Sequence, residues 1–290
     1  MILTNSQTEF YHKNGFLFLE EAFSAKEIEV LYKEIEEVKK IDSPCRILEK
    51  TGAVRSVFGL HRSNQLYSIA SRLARMVVPA AKLLDSEVYV HQSKLNTKEA
   101  LIGDWWEWHQ DYPYWHLEDG MPSDRVLTAM LFLDDVNEFN GPMFIVPASH
   151  KEGIVSMADK EKNKGNDGNW YEEYQNSTTY MSALTSDLKY TIDKDRLKAA
   201  IKKNELLSIK GRAGSILFFH GNLFHASSSN HSPWDRNAFL VTYNSVENTP
   251  VASGGDARPS FISETNFEPI LPLADDALLN STGNEMTTHL

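Results

Sequence analysis

The chain has 290 residues, 41% of them hydrophobic, enough to bury a sizeable core in a single barrel or sandwich domain. Its formal net charge is −11, with the acidic residues spread along the chain. That argues against a nucleic-acid or anionic-membrane partner and leaves a small cationic or zwitterionic substrate open. One cysteine, Cys45, excludes an internal disulfide and a thiolate metal cluster, and points to a reducing, cytoplasmic setting.

In chain order, residues 1–86 read as mainly helical. The first residues lack a basic stretch followed by an apolar run, so they do not read as a signal peptide. Ser6 with Glu9, and Ser24 with Glu27, fit capping boxes. After Ser24, Ile28, Leu31, Ile35 and Val38 recur at helical spacing. Between these helices GFLFLEEAF reads as a short strand and turn. A long helix is expected from about Leu66 to Leu84, kinked or split at Pro79. The pattern then changes. Glu87 to Asn96 alternates like a strand, and RVLTAMLFLDDV and GPMFIVPASH read as two strands joined at NEFNG. GSILFFHGNLFHASSSN and NAFLVTYNSV read as two more. The longest apolar runs are far too short to cross a bilayer. Several short strands with turns between them predict a mainly β domain with flanking helices, an antiparallel barrel or jelly roll. Residues 151–204 are polar and charged, and read either as a mobile lid or as a solvated surface insertion.

The stretch WWEWHQDYPYWHLEDGMP, Trp105 to Pro122, crowds aromatic rings around a His and a carboxylate. Buried His109 and Asp111 need partners, and a metal site supplies them. On a strand, residues two apart point to the same face, so His109 and Asp111 can reach one ion. Two His and one carboxylate on one face of Fe(II) leave three positions open. The third ligand is expected to be a later His on a neighbouring strand. His225 is the first choice, with His220 and His231 as competitors. Arg236, at the start of the next strand, has the flat charged fork that grips a carboxylate of a dicarboxylate cosubstrate. Read alone it would be a surface ion pair. Each Trp of the stretch is as readily a core aromatic, and His91 is expected to point away from the face that carries Gln92.

These motifs, with QSKLN (Gln92 to Asn96), WHLEDGMP (Trp115 to Pro122), GPMFIVPASHK (Gly141 to Lys151), HASSSNHSPWDR (His225 to Arg236), YNSVEN (Tyr243 to Asn248) and ARPSFI (Ala257 to Ile262), resemble the phytanoyl-CoA dioxygenase family of Fe(II)/2-oxoglutarate oxygenases. Within it, the ectoine and free amino acid hydroxylase branch is the most similar. The resemblance covers most of the chain. It implies a double-stranded β-helix, cupin-like, with iron on His109, Asp111 and His225. It implies 2-oxoglutarate on Arg236, with Thr128 assisting that Arg and with Asn96, Lys94, Trp106 and Ser227 around it. Gln92, Trp115 and Tyr112 match or adjoin positions bordering the substrate. The implied reaction uses O2 to hydroxylate an unactivated C–H bond of a small zwitterion: a free, cyclic amino acid such as proline or pipecolate, or ectoine. Desaturation and cyclisation are alternatives from the same chemistry; a non-catalytic cupin-like binding protein is one from another class. A monomer or homodimer is expected. Asp111 argues against halogenation, where a small residue replaces the carboxylate. The chain departs from the branch at Gln110, where a Ser is usual, at YPY after Asp111, at Ala238 in place of Asn and at Lys94 in place of Arg.

Overall fold

A computed structural model describes residues 2–155, 170–178, 180–181, 184–251 and 258–283. The chain opens with α1 (Asn5–Asn14), β1 (Phe16–Leu19), α2 (Ala25–Lys33) and α3 (Ile35–Lys39). The first capping box is Thr4 with Gln7 rather than Ser6 with Glu9, because Thr4 is the residue with extended backbone and Ser6 already lies inside the helix. The second is Ser24 with Glu27, as expected. The helical run after Ser24 breaks at Glu34, yet Ile28, Leu31, Ile35 and Val38 are all buried.

Next come β2 (Arg46–Leu48), β3 (Val54–Phe58), α4 (Leu60–Ser63), α5 (Gln65–Arg72) and α6 (Ala74–Leu84). The long helix expected here is split at Leu73, not at Pro79, which sits inside α6. A distant contact makes the break. Leu73 bridges Leu273, the Ala74 N–H donates to the Leu273 carbonyl at 2.8 Å, and the Leu273 N–H donates back to Arg72 at 2.8 Å.

The rest is strand-rich: β4 (Val88–Lys98), β5 (Trp106–His109), α7 (Tyr112–Asp119), β6 (Val126–Phe132), β7 (Met143–Ile145), α8 (Trp170–Gln175), α9 (Lys194–Asn204), β8 (Leu207–Ile209), β9 (Ile216–His220), β10 (His225–Ser227), β11 (Arg236–Ser245) and α10 (Ala277–Gly283). Among the described residues one sheet runs β1-β9-β6-β11-β4-β3-β2 and a second runs β5-β10-β7-β8. The named strands pair antiparallel throughout. Asn137 to Gly141 carries the chain from β6 in the larger sheet to β7 in the smaller one, so these strands do not form a hairpin. The two sheets make the double-stranded β-helix.

The larger sheet has two apolar faces. Leu95, Leu127, Ala129, Phe218, Phe239 and Val241 pack on the helices, with Tyr67 of α5 4.8 Å from Phe239, ring to ring. The alternate residues face the smaller sheet. Across β4, β11 and β6 they form rows: Asn96, Ala238 and Phe132; then Lys94, Leu240 and Met130; then Gln92, Thr242 and Thr128. This inner face, closed by β5, β10 and β7, encloses the site. Within 151–204, residues 156–169 lie outside the described residues. No helix among the described residues is long and apolar enough to cross a membrane.

Candidate active site

His225 of β10 lies opposite His109 of β5 in the strand register, which sets their rings 4.1 Å apart. Asp111 is not on the strand. The chain turns out of β5 after His109, and Asp111 caps α7 with helical backbone, φ −77° and ψ −40°. The Tyr112 N–H holds this turn to the Gly221 carbonyl at 2.9 Å. The Asp111 carboxylate thereby reaches both rings: Oδ1 is 3.5 Å from His109 Nε2 and 3.7 Å from His225 Nε2. All three ligand atoms fall within 4.8 Å of one another.

The donor set fits a divalent ion. Each His bonds a backbone carbonyl through Nδ1, His109 to Glu107 at 2.6 Å and His225 to Leu223 at 2.9 Å. That orients both rings and leaves both Nε2 lone pairs inward. Burial, with His109 beside it, pushes the His225 imidazole down to about 4, so it stays a neutral ligand. Burial alone would raise Asp111, but His225, His109 and Lys94 together hold its carboxyl well below the usual range. His220 and His231 do not join them: His220 lies at the end of β9 with its ring 5.1 Å from His150, and His231 is exposed in a loop.

A cavity runs from this triad toward Arg236. It is lined by Lys94, Asn96, Trp106, Met130, Ser227, Arg236 and Leu240, among others. Arg236 is 3% exposed; its Nη2 donates to the Gly141 carbonyl at 2.7 Å, and its Nε has no partner among the described residues. Ser227 Oγ is likewise buried and unpartnered. Orphaned buried donors are costly unless a ligand meets them, so the pair fits a carboxylate. Trp106 is clamped from behind: the Arg55 guanidinium stacks 3.6 Å from its ring centre and pairs with Glu49 at 2.8 Å. Lys94 Nζ stands 5.4 Å from the same ring, and Asn96 accepts from Ser56 Oγ at 2.7 Å. Thr128 is a correction. It shares the inner face but lies six positions along β11 from Arg236, about 20 Å at the rise of a strand, and its hydroxyl bonds Thr242 at 3.0 Å. It cannot assist Arg236.

Residues 11–238 match the phytanoyl-CoA dioxygenase (PhyH) family. The chain belongs to this family. It is 34% identical over 279 residues to an ectoine dioxygenase of Bordetella bronchiseptica, covering 93% of this chain and 86% of that one. It is 32% identical over 269 residues to an L-proline trans-4-hydroxylase of Streptomyces griseoviridis, covering 92% and 95%. The crystal structure of EctD from S. alaskensis with 2-oxoglutarate and 5-hydroxyectoine aligns with a TM-score of 0.78 at 25% identity, covering 94% and 88%. The protein is an iron- and 2-oxoglutarate-dependent dioxygenase.

On the other side of the triad the dioxygenase has a second cavity. Gln92, Lys94, Trp106, Tyr114, Trp115 and Arg258 line it, roofed by Leu184 and Leu188. Gln92 is fixed by its bond to the Ile262 carbonyl at 2.8 Å. Tyr112 is a second correction. Residues 112–119 are helical, so successive side chains turn by about 100°. Trp115 and Tyr114 reach the cavity, while Tyr112 packs with Met121 and Val126 in the core. His91 also departs from simple alternation. Thr242 opposes Gln92 and Tyr243 opposes Val90, so His91 is the extra residue of a β-bulge, which re-aims a side chain. Its ring meets Trp115 edge-on at 5.8 Å, and Nε2 is 3.2 Å from Asp119. Asp119 also binds Arg258 through Nε at 2.7 Å and Nη2 at 2.5 Å. Arg258 of ARPSFI, and Leu184 and Leu188 of the polar segment 151–204, line this cavity with no local sequence signal to mark them. Trp105, counted with the buried rings, is 51% exposed.

Proposed function

We propose that this dioxygenase hydroxylates a small free amino acid or an ectoine-like cyclic zwitterion, in the cytoplasm, as a monomer or homodimer. Iron would be held by His109, Asp111 and His225, and 2-oxoglutarate by Arg236 and Ser227 with Asn96, Lys94 and Trp106 around it. The observation that carries the substrate reading is Arg258. Its Nε and Nη2 are committed to Asp119, which fixes the guanidinium and, among the described residues, leaves Nη1 for a substrate carboxylate at the cavity edge.

Iron held there would, with 2-oxoglutarate and O2, supply the C–H oxidation, with succinate and CO2 as coproducts. The chain's own residues do the positioning. The two Nδ1–H bonds keep the imidazoles pointed inward, and Asp111 closes the third corner. Arg236 and Ser227 anchor the cosubstrate away from the substrate, and Trp106 forms a wall common to both cavities. Tyr114 and Trp115 offer ring faces to an ammonium group. Asp111 is the only carboxylate lining either cavity among the described residues, which suits a substrate that brings its own anion. Leu184 and Leu188 give an apolar roof that excludes water.

Turnover of L-proline, L-pipecolate and ectoine, each beside its carboxamide, tests this reading. One free acid is expected to be hydroxylated with a KM about tenfold or more below that of its amide, since a hydrogen-bonded charge contributes about 1.5–3 kcal/mol. Arg258→Gln should close that gap and leave the 2-oxoglutarate KM in place. Equal KM values for acid and amide in the unaltered enzyme would contradict it.

A further inference from the structure

Gln110 sits between His109 and Asp111. It is 3% exposed, and both the nitrogen and the oxygen of its carboxamide are hydrogen-bonded. Nε2 donates to the Gly153 carbonyl at 2.8 Å and the Asn222 carbonyl at 2.9 Å, with Asn222 Oδ1 at 3.4 Å. Oε1 accepts from the Val155 N–H at 3.2 Å. Asn222 is itself an anchored point. Its N–H donates to His220 Nδ1 at 3.0 Å and its Nδ2 to Asp124 at 2.8 Å.

These bonds join three pieces of chain. One is the turn that carries His109 and Asp111. The second is the loop at Asn222, three residues before His225. The third is the start of the polar segment, at Gly153 and Val155. The Tyr112 to Gly221 backbone bond and the pairing of β5 with β10 at His109 and His225 also join the first two pieces, and Gln110 ties the third to both. We infer that Gln110 is a positioning residue: it braces the two arms of the metal triad against each other from behind and makes residues 153–155 move with them. A Ser here could reach one partner at most and would leave the other buried groups unpaired. The inference rests on His109, Asp111 and His225 being the iron ligands.

The test uses Mn(II) with 2-oxoglutarate in place of iron, so that no turnover intervenes. Calorimetry compares the unaltered protein, Asp111→Ala and Gln110→Met, which keeps length and volume but removes the bonds. Partners that orient metal ligands alter metal affinity by about 10- to 100-fold, and a loss of that size is expected for Gln110→Met. Hydrogen exchange supplies a reading that needs no variant. In the unaltered protein, exchange in the peptide covering residues 153–155 should slow when Mn(II) binds. In Gln110→Met that metal-dependent slowing should vanish. A Gln110→Met protein that only melts earlier, with Mn(II) affinity unchanged, would overturn the inference. So would exchange at 153–155 that ignores the metal in the unaltered protein, whether or not the variant folds. Unchanged Mn(II) binding in Asp111→Ala would remove the triad itself, and the inference with it.

Discussion

Arg236 is buried with Nη2 spent on the Gly141 carbonyl and Nε facing no protein acceptor. A planar fork suits that geometry; the point charge of Lys does not. Arg236→Lys should therefore raise the KM for 2-oxoglutarate by about tenfold or more, the equivalent of losing about 1.5–3 kcal/mol of charged hydrogen bonding. The substrate KM should hardly move, because Arg236 does not line the second cavity. Steady-state kinetics with each reactant varied in turn checks this. At this scale the sequence was informative where chemistry is local. His109 and Asp111 stand two apart, and His225 and Arg236 follow as separated, ordered residues. Other residues were opaque for physical reasons. Arg258 acquires meaning only from Asp119, 139 positions away. Tyr114, not Tyr112, reaches the cavity because residues 112–119 are helical. His91 defies alternation because the bulge adds one residue to β4.

Among the elements, α2 shows how a local signal and a distant contact reinforce each other. The Ser24 N–H and hydroxyl both donate to the Glu27 carboxylate, at 2.8 and 2.7 Å, and Arg75 of α6 reaches the same oxygen at 3.1 Å. Ser24→Ala removes the cap, which typically contributes about 1 kcal/mol. Urea unfolding should register that loss, while turnover per folded molecule stays unchanged, since α2 lies behind the larger sheet. The capping box at Ser24 and the buried stripe from Ile28 to Val38 were legible, as were the strands that alternate. The split at Leu73 was not, because it is imposed by pairing with Leu273. Nor was α7, whose eight residues carry a weak helical stripe and take their position from Asp111 and the turn at Gly120.

For the molecule as a whole, the C-terminal segment is tied down through Glu264. Its backbone N–H donates to the His91 carbonyl at 2.9 Å. Its carboxylate accepts from His61, from Arg62 and from the N–H groups of Thr265 and Asn266. Burial pushes this carboxyl up, but those donors outweigh it and hold it at about 2, below its ordinary 4.5. Because the folded value is the lower one, the unfolded chain binds the proton more readily. The contribution is complete above pH about 4.5 and is lost as the pH falls toward about 2. Glu264→Gln should flatten the dependence of the urea midpoint on pH across that window. Two antiparallel sheets were foreseeable from strand count and turns. The pairing order was not, since neighbours such as β1 and β9 are some two hundred residues apart. The roof of the second cavity was hidden for a similar reason: Leu184 and Leu188 sit in a segment whose composition reads as surface.

The proposed reaction couples oxidation of 2-oxoglutarate to hydroxylation of a small zwitterionic substrate. The most direct measurement is the fate of isotopically heavy O2 during turnover of the Fe(II)-loaded protein with 2-oxoglutarate and the free-acid panel. One heavy atom should enter succinate and one the hydroxylated substrate, in equal amounts, and both should vanish in Asp111→Ala. Iron-loaded protein that forms neither product, or a product whose new oxygen is not from O2, would contradict the account.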